Sequence, residues 1–264
     1  MSDRLTNRFR AGLESGKTQY GVWLGLPDQT AAEIMAGAGF DWLLVDHEHG
    51  AFELRDVLTH LQVMAGYDIA PIVRPADGNP TLLKKLCDLG AQSFIVPMID
   101  TPAEAAAVVE AVRYPPDGIR GMGTSLARAA RWNAISGYVG SANDEMVVIV
   151  QAETVTAIEN LEAIAATPGI DGVFIGPSDL SASMGHVGNV AHPEVVETVG
   201  NALRTIRGAG KHAGLLCLDP AMVAHYEGCG ANFVGVGVDT LLLGNAARHL
   251  AARCKGDDAS DAGY

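Results

Sequence analysis

The sequence predicts a closed α/β barrel of eight parallel strands, each followed by a helix, and three observations carry that prediction. Eight short runs rich in Val, Ile and Leu recur along the chain. None of them alternates cleanly between apolar and polar residues, the mark of strands covered on both faces. Ala- and Glu-rich segments of helical character separate them, and 264 residues is close to the roughly 250 typical of a (β/α)8 barrel.

Taken in order, the runs are "GVWLGL" (21–26), "WLLVD" (42–46), "APIVRP" (70–75) and "SFIVPM" (93–98), then "VVIVQAE" (147–153), "GVFIGPSD" (172–179), "HAGLLCLD" (212–219) and "FVGVGVD" (233–239). An amphipathic N-terminal segment precedes the first. Between the runs lie helices such as "TPAEAAAVVEAVR", "ETVTAIENLEAIAAT" and "PEVVETVGNALRTIRGAG", several opened by Thr or Asp and closed by Gly. A doubly wound sheet would show a Gly-rich fingerprint after its first strand, where this chain has "GLPDQT". The connection 114–146, carrying Arg120, Arg128 and Arg131, is long enough to be a lid or a subunit contact. We read one domain over 1–264, with 255–264 as a disordered tail.

Composition narrows the function. A net charge of -13 argues against nucleic acid and against an anionic membrane surface, both of which need a cationic face. No apolar run has the length of a membrane span, and the first residues lack a secretory signal. The four cysteines, Cys87, Cys217, Cys229 and Cys254, have no metal-ligand spacing and read as reduced thiols. A cytoplasmic protein acting on a small molecule is the expectation.

In such barrels chemistry sits at the C-terminal ends of the strands. The second run ends in Asp46 and leads to His49; the third ends in Arg74; the fifth gives Gln151 and Glu153; the sixth gives Ser178 and Asp179. Asp219 and Asp239, at the ends of the last two, read more simply as helix caps. Even Asp179 has that alternative, and Glu153 could be a first-turn acid. Arg74 is harder to explain away, because a guanidinium leaving a buried strand needs an anionic partner. Glu153 and Asp179, with no thiol or second imidazole nearby, suit a hard divalent ion such as Mg2+, Mn2+ or Co2+. Such an ion with Arg74 would hold a 2-oxo acid and stabilise its enolate. A Schiff-base lysine is the competing chemistry. The five lysines (Lys17, Lys84, Lys85, Lys211, Lys255) fall before strands, in a helix or in the tail, and none falls at this rim.

The segments "FDWLLVDHEHG", "PIVRP", "VQAET" and "GIDGVFIGPSDLSASMG", with "GIRGMGTSLARAARWN" and "VGVGVDT", resemble the HpcH/HpaI aldolase family from about residue 5 to 253. The resemblance implies a metal-dependent class II pyruvate aldolase that reversibly cleaves a 4-hydroxy-2-oxo acid to pyruvate and an aldehyde, without an organic cofactor. It implies a homo-hexamer built from dimers that exchange their last helix. It places metal ligands on Glu153 and Asp179, the enolate-stabilising arginine on Arg74 and the general base on His49, assisted by Asp88. Asp46 matches a supporting acid near the histidine, Gln151 a further polar contact, and Trp23 and Leu216 the border of the substrate pocket. The chain departs from the family at His47, where a small residue is expected, at "HG" after the glutamate, and at "LLCLDP". An oxo-diacid decarboxylase, a citrate-lyase-like CoA-ester lyase and a non-catalytic barrel are the rival readings.

Overall fold

The computed structural model describes residues 6–256. Eight strands close into one all-parallel barrel in sequence order: β1 (Gln19–Leu24), β2 (Trp42–Asp46), β3 (Ala70–Arg74), β4 (Ser93–Val96), β5 (Val147–Ala152), β6 (Gly172–Ile175), β7 (His212–Leu216) and β8 (Phe233–Val238). The strands are shorter at their C-terminal ends than the apolar runs suggest. Chain beyond Ile175, for example, turns at once into helix, so Ser178 and Asp179 stand in a first helical turn rather than on the strand.

The helices are α1 (Arg8–Glu14), α2 (Gln29–Ala36), α3 (Leu54–Met64), α4 (Pro80–Leu89), α5 (Pro102–Val112), α6 (Tyr138–Ala142), α7 (Val155–Glu159), α8 (Leu161–Ala166), α9 (Pro177–Ser183), α10 (Pro193–Gly208), α11 (Pro220–Gly228) and α12 (Asp239–Lys255). Pro opens α4, α5, α9, α10 and α11, where its missing N–H costs nothing. Asn79 and Asp28 accept backbone N–H bonds as N-caps of α4 and α2.

Two apolar layers hold the barrel. The outer one lies between strands and helices, and includes Val45, Val73, Leu86, Val108, Val150 and Leu203. The inner one fills the lumen with Trp42, Leu44, Ile72, Ile95, Ile149, Phe174 and Phe233. The N-terminal helix is present and plugs the bottom: Phe9 of α1 meets Trp42 and Phe233 edge-on, at centroid distances of 6.2 and 5.6 Å. Because both faces of each strand are buried, the runs lack alternation; β2, β4, β5 and β6 are buried at every residue.

Asp239 is not the cap expected of it, since Val238 holds the N-cap position of α12. It is 4% exposed, and its two oxygens accept from the N–H groups of Gly25 and Leu26, at 2.8 and 3.1 Å. This fastens the loop after β1 to the end of β8. Asp239→Ala would orphan those donors, at a cost of about 2–4 kcal/mol, readable as a lower thermal unfolding midpoint. Asp219, by contrast, does cap its helix, accepting from Ala221 N–H at 2.9 Å. His60 is 1% exposed and bridges Asp56 O and Leu26 O.

The connection 114–146 is not a lid over this barrel. It joins the end of α5 to the start of β5, so it lies on the N-terminal face, opposite the C-terminal rim of the strands. There Arg120, 2% exposed, pairs with Asp88 at 2.9 Å and stacks over Tyr114 at 4.3 Å. Arg128 donates to the carbonyls of Leu89 and Leu61. Met122, Leu126 and Trp132 face outward, 69%, 87% and 61% exposed. At the C-terminus, α12 buries only Asp239, while Leu243 and Leu250 are exposed. Lys255, expected in the tail, is the last residue of this helix, and Gly256 ends it in the left-handed region at φ 73°; residues 257–264 lie outside those described. No described helix is long and apolar enough to cross a membrane.

Candidate active site

Asp46 and Arg74 are register partners, each the last residue of its strand, so their side chains share a face at the C-terminal rim. The guanidinium meets the carboxylate as a fork, Nε to Oδ1 at 2.9 Å and Nη2 to Oδ2 at 2.7 Å. The third nitrogen, Nη1, lies 3.1 Å from Glu48 Oε2, and Trp23 stands against the group at 5.9 Å. Arg74 is 8% exposed and Asp46 5%. Burial opposes the Arg74 charge, but the Asp46 hydrogen bonds and the surrounding carboxylates outweigh it and push the guanidinium pKa up. Asp46 is therefore chiefly the partner of Arg74; it reaches His49 only through the backbone N–H, at 3.3 Å.

Glu153 follows β5 and is 2% exposed. Gln151 Nε2 and the Met98 N–H donate to its two oxygens, the latter at 2.8 Å. Thr154, not Glu153, caps the helix that follows. Burial pushes the Glu153 carboxyl up to about 7; the Gln151 and Met98 hydrogen bonds oppose this, while Asp179 and Glu48 add to it. Asp179 is in the first turn of α9, whose N-cap is Gly176, so it does not cap and its carboxylate is exposed at the rim. Gly176 is required by close approach: a Cβ there would meet Glu153 Oε2 at 2.5 Å and Gln151 Nε2 at 3.0 Å. Gly176→Ala would displace the buried carboxylate, and a loss of about 10–100-fold in divalent-ion affinity is expected by calorimetry.

A cavity of about 350 Å3 opens at this rim, bordered by Trp23, Asp46, His49, Arg74, Gln151, Ser178, Asp179 and Leu216, with Glu153 behind Gln151. Trp23 is seated over Gly235, where a Cβ would come within 2.4 Å of the ring. His49 has an exposed side chain, with Nε2 3.8 Å from Glu48 Oε2. His47 does not border the cavity.

Asp88 is not brought here. It lies one residue before the end of α4, on the opposite face, and is paired with Arg120. Glu48 is the residue the sequence reading left without a role. Burial raises its carboxyl pKa, against the pull of Arg74 and His49, with Asp46 and Asp179 adding to the rise. Its place inside "DHEHG" was the available signal.

Asp46 and Glu48 thus contact one guanidinium on which Glu153 also acts, Asp179 acts in turn on Glu153, and among the described residues the buried Gln151 Oε1 has no partner. This all-oxygen, electron-rich set fits a hard divalent cation held by Glu153 and Asp179. A barrel of this kind, with acids and one buried arginine at its C-terminal rim, is built to hold an oxo acid and carry the charge of its enolate; it is a carbon–carbon lyase. The chain belongs to the HpcH/HpaI aldolase/citrate lyase family, whose model matches residues 19–246. It is 53% identical over 253 residues to a hydroxypyruvate/pyruvate aldolase of Deinococcus radiodurans, covering 96% of this chain and 91% of that one. It is 51% identical to a 4-hydroxy-2-oxo-heptane-1,7-dioate aldolase of Salmonella dublin, covering 94% and 95%. A solved HpcH/HpaI aldolase/citrate lyase family protein from Burkholderia cenocepacia J2315 superposes with a TM-score of 0.90 at 36% identity, covering 95% and 100%.

Proposed function

We propose that the chain is a class II pyruvate aldolase acting reversibly on 4-hydroxy-2-oxo acids, using Mg2+, Mn2+ or Co2+. The observation that carries this is the forked Arg74 and Asp179 on one cavity, with the buried Glu153 held directly behind its Gln151 wall. The cation would be held by Glu153 and Asp179, and would chelate the oxo acid and polarise its keto group. Arg74, fixed by Asp46, faces the oxygen on which enolate charge develops, and its rigidity supplies stabilisation without reorganisation. His49 takes the proton of the C4 hydroxyl. The C3–C4 bond then breaks, its electron pair passes to the C2–C3 enolate, and the aldehyde leaves. Protonation at C3 gives pyruvate. Gln151 holds Glu153 in place, while Trp23, Ser178 and Leu216 border the bound acid.

We further propose a homo-hexamer, a trimer of dimers exchanging α12, in the cytoplasm. The exposed Leu243 and Leu250 of α12 and the exposed Met122, Leu126 and Trp132 support such contacts. Asp88 sits beside that exposed connection, so it would serve a histidine of a neighbouring copy rather than its own. Sedimentation velocity tests the assembly.

The test of the chemistry needs no choice of aldehyde. Metal-loaded protein with pyruvate in D2O should lose the pyruvate methyl proton signal, and a chelated control should not. Absence of exchange in folded, metal-loaded protein would overturn the reading.

A further inference from the structure

A second cavity, of about 300 Å3, lies against the catalytic one and shares Pro177, Ser178 and Leu216 with it. Its character is different. The catalytic cavity concentrates charge, whereas the walls of the second are contributed by Val190, Val196, Met222 and Tyr226. Among the described residues no Lys, Arg or His borders it, and its one charged side chain is the acidic Asp219, exposed at the start of α11.

Resting on the aldolase reading above, we infer that this cavity receives the substituent on C4, the part of the substrate that leaves as the aldehyde, and that it selects uncharged, apolar aldehydes. The placement follows from the barrel. Leu216 ends β7, across the mouth from the β2 loop that carries His49. A C4 carbon between them presents its hydroxyl to His49 and its substituent to Leu216 and the space beyond. An apolar chain there displaces water from apolar walls. A chain ending in a carboxylate would lose its hydration with no cation to meet it, and would face Asp219. The departure of this chain at "LLCLDP" falls on this wall.

Specificity constants for aldol addition of pyruvate to propanal, pentanal and heptanal, and to 4-oxobutanoate, test the assignment. The value should rise about fourfold per methylene until the cavity is filled, and pentanal should exceed 4-oxobutanoate by at least about tenfold. Met222→Arg, which brings a cation to the wall, should reverse the preference for pentanal. Val190→Trp, at a half-exposed position, should fill the cavity and flatten the series. Pyruvate proton exchange in D2O should be unchanged in both variants, since neither residue touches the catalytic cavity. A flat wild-type series, or a preference for 4-oxobutanoate, with exchange intact overturns the cavity's assignment alone. Loss of exchange in the wild-type protein overturns the aldolase reading beneath it. Should either variant fail to fold, the wild-type series still decides.

Discussion

Arg74→Ala is expected to abolish pyruvate proton exchange and aldol cleavage together, by a factor on the order of 10^3 or more. Loss of one preorganised donor at a developing oxyanion already costs about 10^2–10^3. Here a full charge is removed as well, from a place where three carboxylates, Asp46, Glu48 and Glu153, act on it. The variant should also be less stable by about 3–5 kcal/mol, because Asp46 is left buried without its fork partner. Arg74→Lys separates the two effects. A lysine restores a point charge but not the two parallel bonds, so it should recover stability more fully than turnover. An exchange rate untouched by Arg74→Ala would remove the arginine from the mechanism.

Glu153→Gln should eliminate divalent-ion binding and activity, with a loss exceeding the roughly 10–100-fold typical of changes behind a metal ligand. Its effect on the metal-free protein runs the other way. The folded carboxyl titrates at about 7, above the roughly 4.3 of an unfolded glutamate. Between those values the folded state binds more protons than the unfolded one, so this group makes stability fall as pH rises. Below about pH 4 it contributes no penalty, and above about pH 7 the penalty is complete, at most roughly 4 kcal/mol. Glutamine cannot ionise. Metal-free Glu153→Gln should therefore melt higher than metal-free wild type at pH 8 and nearly level with it at pH 4.5. Adding Mn2+ at pH 8 should raise the wild-type midpoint and leave the variant's unchanged. By the same linkage, the affinity of the wild-type protein for the ion should weaken as pH falls below about 7.

The barrel was legible because burial on both faces writes itself as unbroken apolar runs between helical segments. The rim positions of Glu153, Asp179 and Arg74 were legible because each lies at or just beyond the C-terminal end of a strand. Relations between strands were less so. The Asp46–Arg74 fork follows from the β2–β3 register, which nothing in "WLLVD" or "APIVR" alone fixes. Glu48 depended on how a short turn folds back onto that fork. Gly176 resembled any glycine before a helix until the Glu153 carboxylate was placed against it. Asp88 came from family resemblance alone, and its pairing with Arg120 on the far face follows from the path of α4, which runs back from the rim before reaching it.

The link from Asp239 to the loop after β1 joins residues more than two hundred positions apart, and β8 must pair with β1 to close the ring. A ribosome delivers these partners at opposite ends of synthesis. Until Phe233–Val238 has emerged, β1 and β7 are the free edges of an unfinished parallel sheet, and such edges recruit other chains. The catalytic cavity, bordered by Trp23 of β1 and Val238 of β8, is then still a cleft open on one side. Glu153 and Asp179 are in the chain before β7 and β8 are made, but the pocket closes only with its last strand. A stalled or truncated chain ending before Phe233 would therefore be prone to aggregate rather than to work slowly.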